Sequence, residues 1–292
     1  MKRNIQLVAV SILISIGATG CSAAGTTNET LDISEFQDVN ATLDRAKSQI
    51  ITPLSSYFAS DEEDVLLQRA NLTLIASCMK EKGFLLDIEE HISRPLGEDR
   101  QYGIWNRTNA ESYGYELPAD PHNPSRAAQN GTDDSAPSAS TQDVEFVRHY
   151  RKCQDQLASR LLPEHVQGAI GSVDLGDTAA RVASQQAGDS DEWKAIRSQW
   201  SSCLQEAGIT LPSDKKTPWI PEVSNTDKAS QIKTALTDIA CKEKVNFIQR
   251  LADTESRYEA AYIANHEAAF EKLKTDKDAD VAKAREIISG AS

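Results

Sequence analysis

The chain has 292 residues, of which 44 are acidic and 31 are Lys or Arg, giving a formal charge of −13; 39% are apolar and 6% aromatic. That balance makes nucleic acid a poor candidate, and no nucleic-acid partner is expected, because its phosphates are met by clustered Lys and Arg. The apolar content suffices for a lean core, which makes the five cysteines the most informative entry in the composition.

In chain order, Met1, Lys2 and Arg3 give a positive start, and Ile5 to Ile16 form an apolar stretch broken only by Gln6, Ser11 and Ser15. The stretch is short for a bilayer span, which needs about 20 residues, and its flanks are those of a secretory signal. Residues 1–20 therefore read as a signal peptide.

The signal ends in Ala18-Thr19-Gly20-Cys21, which resembles the lipobox of bacterial lipoproteins, with Ala18 where Leu is usual. The resemblance implies cleavage before Cys21 and a diacylglyceryl thioether on its sulfur. A plain signal peptide that contains a cysteine is the alternative. Two acyl chains matter because one chain alone holds a protein only marginally at a membrane. Residues 21–34 then form the lipidated end and a Ser/Ala/Gly/Thr-rich tether. Without Lys2 and Arg3 the mature chain has 29 basic and 44 acidic side chains, a balance of −15. The expected partner is the membrane, reached through the lipid on Cys21, with the tether spacing an acidic body from an anionic surface.

Two halves follow, residues 35–170 (with an irregular loop over 91–141) and 171–292. In the first, Asp38 to Ala59 reads as a helix with Leu43, Ala46, Ile50 and Leu54 on one face, bent at Pro53. Ser60-Asp61-Glu62-Glu63 is a capping box ahead of an apolar-periodic helix. Ile75 to Phe84 can be laid over Trp200 to Ile209, so that Ser, Cys, Glu and Gly coincide. Each copy reads as the end of a helix, stopped by a left-handed glycine at Gly83 or Gly208.

Cys78 and Cys203 belong to these copies, and Cys153 and Cys241 fall within later helices. Four cysteines in an exported chain argue for disulfides. The repeat favours Cys78–Cys153 and Cys203–Cys241, each stapling two helices of its own half; Cys78–Cys241 with Cys153–Cys203 also respects the repeat. On the chain-entropy model each bond contributes roughly 4 kcal/mol. With Asp238-Ile239-Ala240-Cys241 and the Tyr-Gly elements at Tyr102-Gly103 and Tyr113-Gly114, the Cys-x5-Gly pattern resembles uncharacterised exported lipoproteins of actinobacteria. That resemblance implies location and architecture only.

In the second half, Asp177 to Ala187 and Asp191 to Ala207 read as helices. From Glu222 to Ser289 there is no Gly or Pro. Ser224 to Asp227 signals a helix start, and Ile232, Leu236, Ile239, Ile248, Leu251, Tyr258 and Tyr262 trace a stripe. Lys242, Glu243 and Glu255 interrupt a strict heptad, and a break near Asp253 or Asp276 is expected. The fold class is mostly α, a bundle of two disulfide-stapled helix-pair halves with long irregular connections and a long C-terminal helical segment.

Sites are sparse. Asp276 to Asp280 opens like a calcium loop but has Val281 and Ile287 where Gly and Glu are required, so it reads as a solvated charge run. His266-Glu267 lacks the second histidine of a metalloprotease motif, and no Gly-x-Ser-x-Gly elbow occurs. No catalytic, cofactor-binding or metal-ligating residues are assigned. Tyr102, Trp105, Tyr113, Tyr115 and Trp219 come from the irregular connections and form either a binding face for a sugar, peptide or partner helix or a cover over a thin core. The expected function is a non-catalytic binding or adaptor role on an envelope protein or cell-wall ligand at the outer face of the cell membrane. A transporter's solute-binding lipoprotein and a cell-wall hydrolase share that address.

Overall fold

The computed structural model describes residues 29–92, 98–116, 141–163, 174–211 and 227–290. Two compact units divide the chain, Met1–Thr30 and Leu31–Ser292. Of the first only Glu29 and Thr30 are described, so Cys21 and the expected signal peptide lie outside the described residues. The second unit is mostly α, with nine α-helices among the described residues. They are α1 (Asp61–Glu81), α2 (Ile88–His91), α3 (Arg107–Tyr113), α4 (Thr141–Leu157), α5 (Asp174–Asp189), α6 (Asp191–Glu206), α7 (Lys228–Lys244), α8 (Phe247–Asn265) and α9 (Glu267–Gly290).

The first element corrects the sequence reading. In place of a helix over Asp38 to Ala59 there is an antiparallel hairpin, β1 (Thr42–Asp44) and β2 (Gln49–Ile51), with Leu43 opposite Ile50. The spacing of Leu43 and Ile50 suits either a helical stripe or a cross-strand pair. Turn chemistry decides: the Asp44 carboxylate accepts the amides of Ala46 and Lys47 at 3.0 Å each, and Ser48 takes a left-handed φ of 56°. A side chain that satisfies its own backbone offers the chain an alternative to the helix. Pro53 then starts a short 3-10 helix, Pro53–Tyr57, capped by Thr52.

The helix ends follow local rules. Ser60 and Glu63 make the expected reciprocal capping box on α1. At its other end Phe84 N–H bonds to Met79 O and Gly83 N–H to Lys80 O, with Gly83 at φ 83°. The second copy repeats this bond for bond: Ile209 to Leu204 O, Gly208 to Gln205 O, and φ 77° at Gly208. Both are the pattern in which a left-handed glycine satisfies the last carbonyls.

The long C-terminal segment breaks elsewhere than expected. Asp253 and Asp276 lie within continuous helix, and the interruptions fall at Val245-Asn246 and His266. Asn246 adopts φ 50°, a conformation its short polar side chain tolerates. Asp253 is used otherwise, its carboxylate accepting Ala41 N–H at 2.9 Å.

The core draws on both ends of the chain. Its largest cluster joins Ile50, Tyr102 and Trp105 to Trp193, Trp200, Leu204, Phe247 and Leu251. A second packs Leu54 and Phe58 on Val182, Tyr262 and Phe270. Helix α1 lies along α9 through Leu67, Ala70, Val281 and Ala284. Among the described residues helix α4 packs chiefly on α1, through a cluster of Ile75, Met79, Cys153, Phe84, Phe146 and Tyr150.

Candidate functional site: a buried polar centre between α6 and α7

Both disulfides expected from the repeat are formed, Cys78–Cys153 and Cys203–Cys241, with Cα separations of 5.9 and 5.6 Å. The second joins α6 to α7, and one turn away a polar tie joins the same helices. Trp200 donates its indole N–H to Asp238 Oδ1 at 2.8 Å. Asp238 Oδ2 accepts from Tyr115 OH at 3.2 Å and from Lys242 Nζ at 3.2 Å. Lys242 donates again to the Ile104 carbonyl at 2.9 Å, and its ammonium lies over the rings of Trp200 and Phe247 at 5.5 and 5.9 Å from their centroids.

Both charged groups are inaccessible, Asp238 at 0% and Lys242 at 2%. Burial therefore pushes the Asp238 carboxyl up and the Lys242 ammonium down, each towards its neutral form. Their mutual attraction and the Trp200 and Tyr115 donors act against that shift. Tyr115 is pushed up by burial and by the Asp238 charge.

Glu98 organises the adjoining segment. Its Oε1 accepts the amides of Trp105 and Asn106 at 3.1 and 3.0 Å. Its Oε2 pairs with Arg100 at 3.0 Å and accepts from Asn109 at 3.3 Å. Arg100 reaches on to the carbonyls of Tyr115 and Glu116 at 2.7 and 3.1 Å. One buried carboxylate thus fixes the course of residues 98–116 over α7. Nothing in the sequence pattern singles out Glu98. Lys242 did leave a sign, as a charge on an otherwise apolar stripe.

Beside Lys242 a crevice of about 30 Å³ opens between Leu43, Arg45, Trp105, Asn246 and Phe247. That is room for about a water molecule, far below the several hundred Å³ of a metabolite pocket.

The sequence-predicted aromatics do not gather into one exposed face. Tyr102 is buried, donating to Glu255 at 2.7 Å and meeting Trp193 edge-on. Trp105 is buried, its indole N–H on the Asp99 carbonyl at 2.6 Å. Tyr115 is half-buried on Asp238, and Tyr113 is exposed beside Lys228. Trp219 lies outside the described residues. The physical reason is polar: Tyr102, Trp105 and Tyr115 each carry a donor that finds an acceptor within the fold, so they close the core over the irregular connection.

The charge run Asp276 to Asp280 lies within α9, with Lys277 buried against Glu63 at 3.6 Å and Asp278 at 3.4 Å. His266 stacks on Tyr262 at 4.3 Å, and His149 lies against Phe84 at 5.1 Å. Among the described residues no group of three or more His, Cys, Asp or Glu is placed to hold a metal, and no helix is long and apolar enough to cross a membrane. No protein-family model matches the chain, and no curated protein or solved structure shows significant similarity to it.

Proposed function

We propose that the protein is a lipid-anchored component of the cell envelope, held at the outer face of the membrane through Cys21, with a non-catalytic binding or adaptor role. The observation that carries this reading is the division of the cysteines. Four are consumed in two disulfides, which persist in an oxidising compartment, and the fifth follows Ala18-Thr19-Gly20 at the end of a signal-like segment. The non-catalytic part draws support from the use made of the buried polar groups. Asp238, Lys242 and Glu98 spend their hydrogen bonds on holding α6, α7 and residues 98–116 together.

The test is metabolic labelling with an alkyne fatty acid in the native cell, followed by photo-crosslinking. The intact protein takes up label and fractionates with membranes, whereas Cys21→Ala loses the label. A reproducible crosslinked envelope partner then identifies what it binds. An unlabelled wild type overturns the anchor, and turnover of purified cell wall that a single Asp or Glu substitution abolishes overturns the non-catalytic role.

A further inference from the structure

Glu255 and Glu259 lie one turn apart on α8, with solvent reaching 1% and 3% of their surfaces. Each holds a different stretch of chain. Glu255 accepts from Gln101 Nε2 at 3.0 Å and Tyr102 OH at 2.7 Å. Glu259 accepts from Leu54 N–H at 3.1 Å and from the Thr52 side chain. The bonds span more than 150 positions in sequence, so the two carboxyls are where the N-terminal segment and residues 98–102 meet α8.

Among the described residues neither carboxyl has an ion-pair partner. Asp99 and Tyr102 face Glu255 from the 98–102 stretch, and the charges of Asp99 and Glu259 both disfavour ionisation of Glu255. From the 3-10 helix Pro53–Tyr57, the Tyr57 hydroxyl faces Glu267 and Glu271 of α9 instead. From α6, Glu192 pairs with Arg257 at 2.8 Å beside Tyr258. Arg257, on the same turn of α8, is thus engaged elsewhere, as Arg100 is by Glu98. Ser256, between the two glutamates, is fully buried with its hydroxyl unpartnered, so this turn of α8 holds more polar atoms than partners.

We propose that Glu255 and Glu259 form a proton-operated clasp: protonated, they hold residues 52–57 and 98–102 closed on α8, and their ionisation loosens both stretches together. The hydroxyls of Tyr102 and Thr52 accept as readily as they donate, so each carboxyl keeps its bonds in either state. Those bonds favour the charged form, but burial outweighs them: ionisation places two negative groups without an ion-pair partner, Glu255 beside Asp99, where water barely reaches. Burial accordingly raises both carboxyls from the usual 4.5 to about 7. Closure is therefore favoured at acidic pH and weakens as pH rises through neutrality.

Hydrogen exchange on the full chain, at intrinsic-rate-matched times near pH 5.5 and pH 8, tests the clasp. Protection over residues 50–58 and 98–106 is expected to fall together by about tenfold or more at the higher pH, while α6 stays protected. In Glu255→Gln/Glu259→Gln both stretches remain protected at both pH values. Equal wild-type protection at the two pH values overturns the proposal, as does pH dependence that survives in the double variant. Carbon-detected NMR titration of the wild type needs no variant: two carboxyls titrating near neutrality are expected, and their absence is equally decisive.

Discussion

Trp200 donates to Asp238 three residues before Cys203 bonds to Cys241, so one turn of α6 and one turn of α7 share a polar and a covalent cross-link in the same register. The first half has the covalent link without the polar one: the residues three before Cys78 and Cys153 are Ile75 and Tyr150, which pack in an apolar cluster. There the tie runs through Asn71, whose amide exchanges two hydrogen bonds with the Leu162 backbone at 2.9 and 2.8 Å. The duplicated staples therefore sit in unlike surroundings, and their loss has unlike effects.

Cys241→Ala removes a bond set in the main core beside Trp200 and Phe247. It is expected to lower global stability by about 4 kcal/mol, from chain entropy alone. Cys153→Ala frees α4, which rests on α1 through a satellite cluster. Hydrogen exchange should lose protection over residues 144–163, while the main calorimetric transition moves far less than in Cys241→Ala. Equal shifts in both variants would contradict the asymmetry.

Asp238→Ala leaves the Lys242 ammonium buried without its counter-charge. Removing one partner of a buried pair costs about 3–5 kcal/mol, whereas replacing both by apolar groups is often neutral. Urea unfolding should show that loss for Asp238→Ala and recover most of it in Asp238→Leu/Lys242→Met. A double variant as unstable as the single one would locate the worth of the site in the Trp200 and Tyr115 bonds instead.

The raised Glu255 and Glu259 fix the sign of the pH dependence. A carboxyl whose folded value, about 7, exceeds its unfolded value of 4.5 stabilises the fold fully below the unfolded value. It ceases to do so as pH climbs through the folded one. Each is worth at most about 3 kcal/mol across that window. The wild-type melting temperature should be higher near pH 5.5 than near pH 8, with the difference reduced in either single Gln variant.

Two kinds of glycine separate by calorimetry. A Cβ at Gly176 would sit 2.1 Å from the Phe58 ring, which Leu54, Tyr262 and Phe270 confine. Gly176→Ala should cost about 1–3 kcal/mol by overpacking, relieved by Phe58→Leu. Nothing lies within 4 Å of a Cβ at Gly208, whose φ is +77°. Gly208→Ala should cost about 1 kcal/mol through backbone conformation alone, and Phe58→Leu should not relieve it.

Local chemistry was legible in the sequence. The Ser60 capping box, the glycine stops at Gly83 and Gly208, and the cysteine pairing each depend on residues close in the chain or on an internal repeat. The hairpin was not, because Leu43 and Ile50 satisfy two periodicities and the choice rests on the turn that Asp44 makes. Lys242 and Glu255 registered as interruptions of an apolar stripe. Their burial depends on Ile104, Gln101 and Tyr102, acceptors and donors far away in sequence. Glu98 left no trace, since its partners, the Trp105 and Asn106 amides and the Arg100 and Asn109 side chains, form no sequence motif. The helix breaks were misplaced because Asp253 and Asp276 bond to side chains or distant backbone, while Asn246 turns the chain.

The seating of α1 along α9 has a consequence for how the molecule is made. Whether from the ribosome or from an export channel, α1 emerges long before α9, so Leu67, Ala70 and their neighbours remain without their partner helix until residues 267–290 have followed. A helix whose partner lies this far along the chain docks late and is open to aggregation while it waits. A chain truncated before residue 267 should be far more protease-sensitive in α1 than one that includes α9, and loss of the last turns of α9 should reduce yield more than its distance from the buried polar centre suggests.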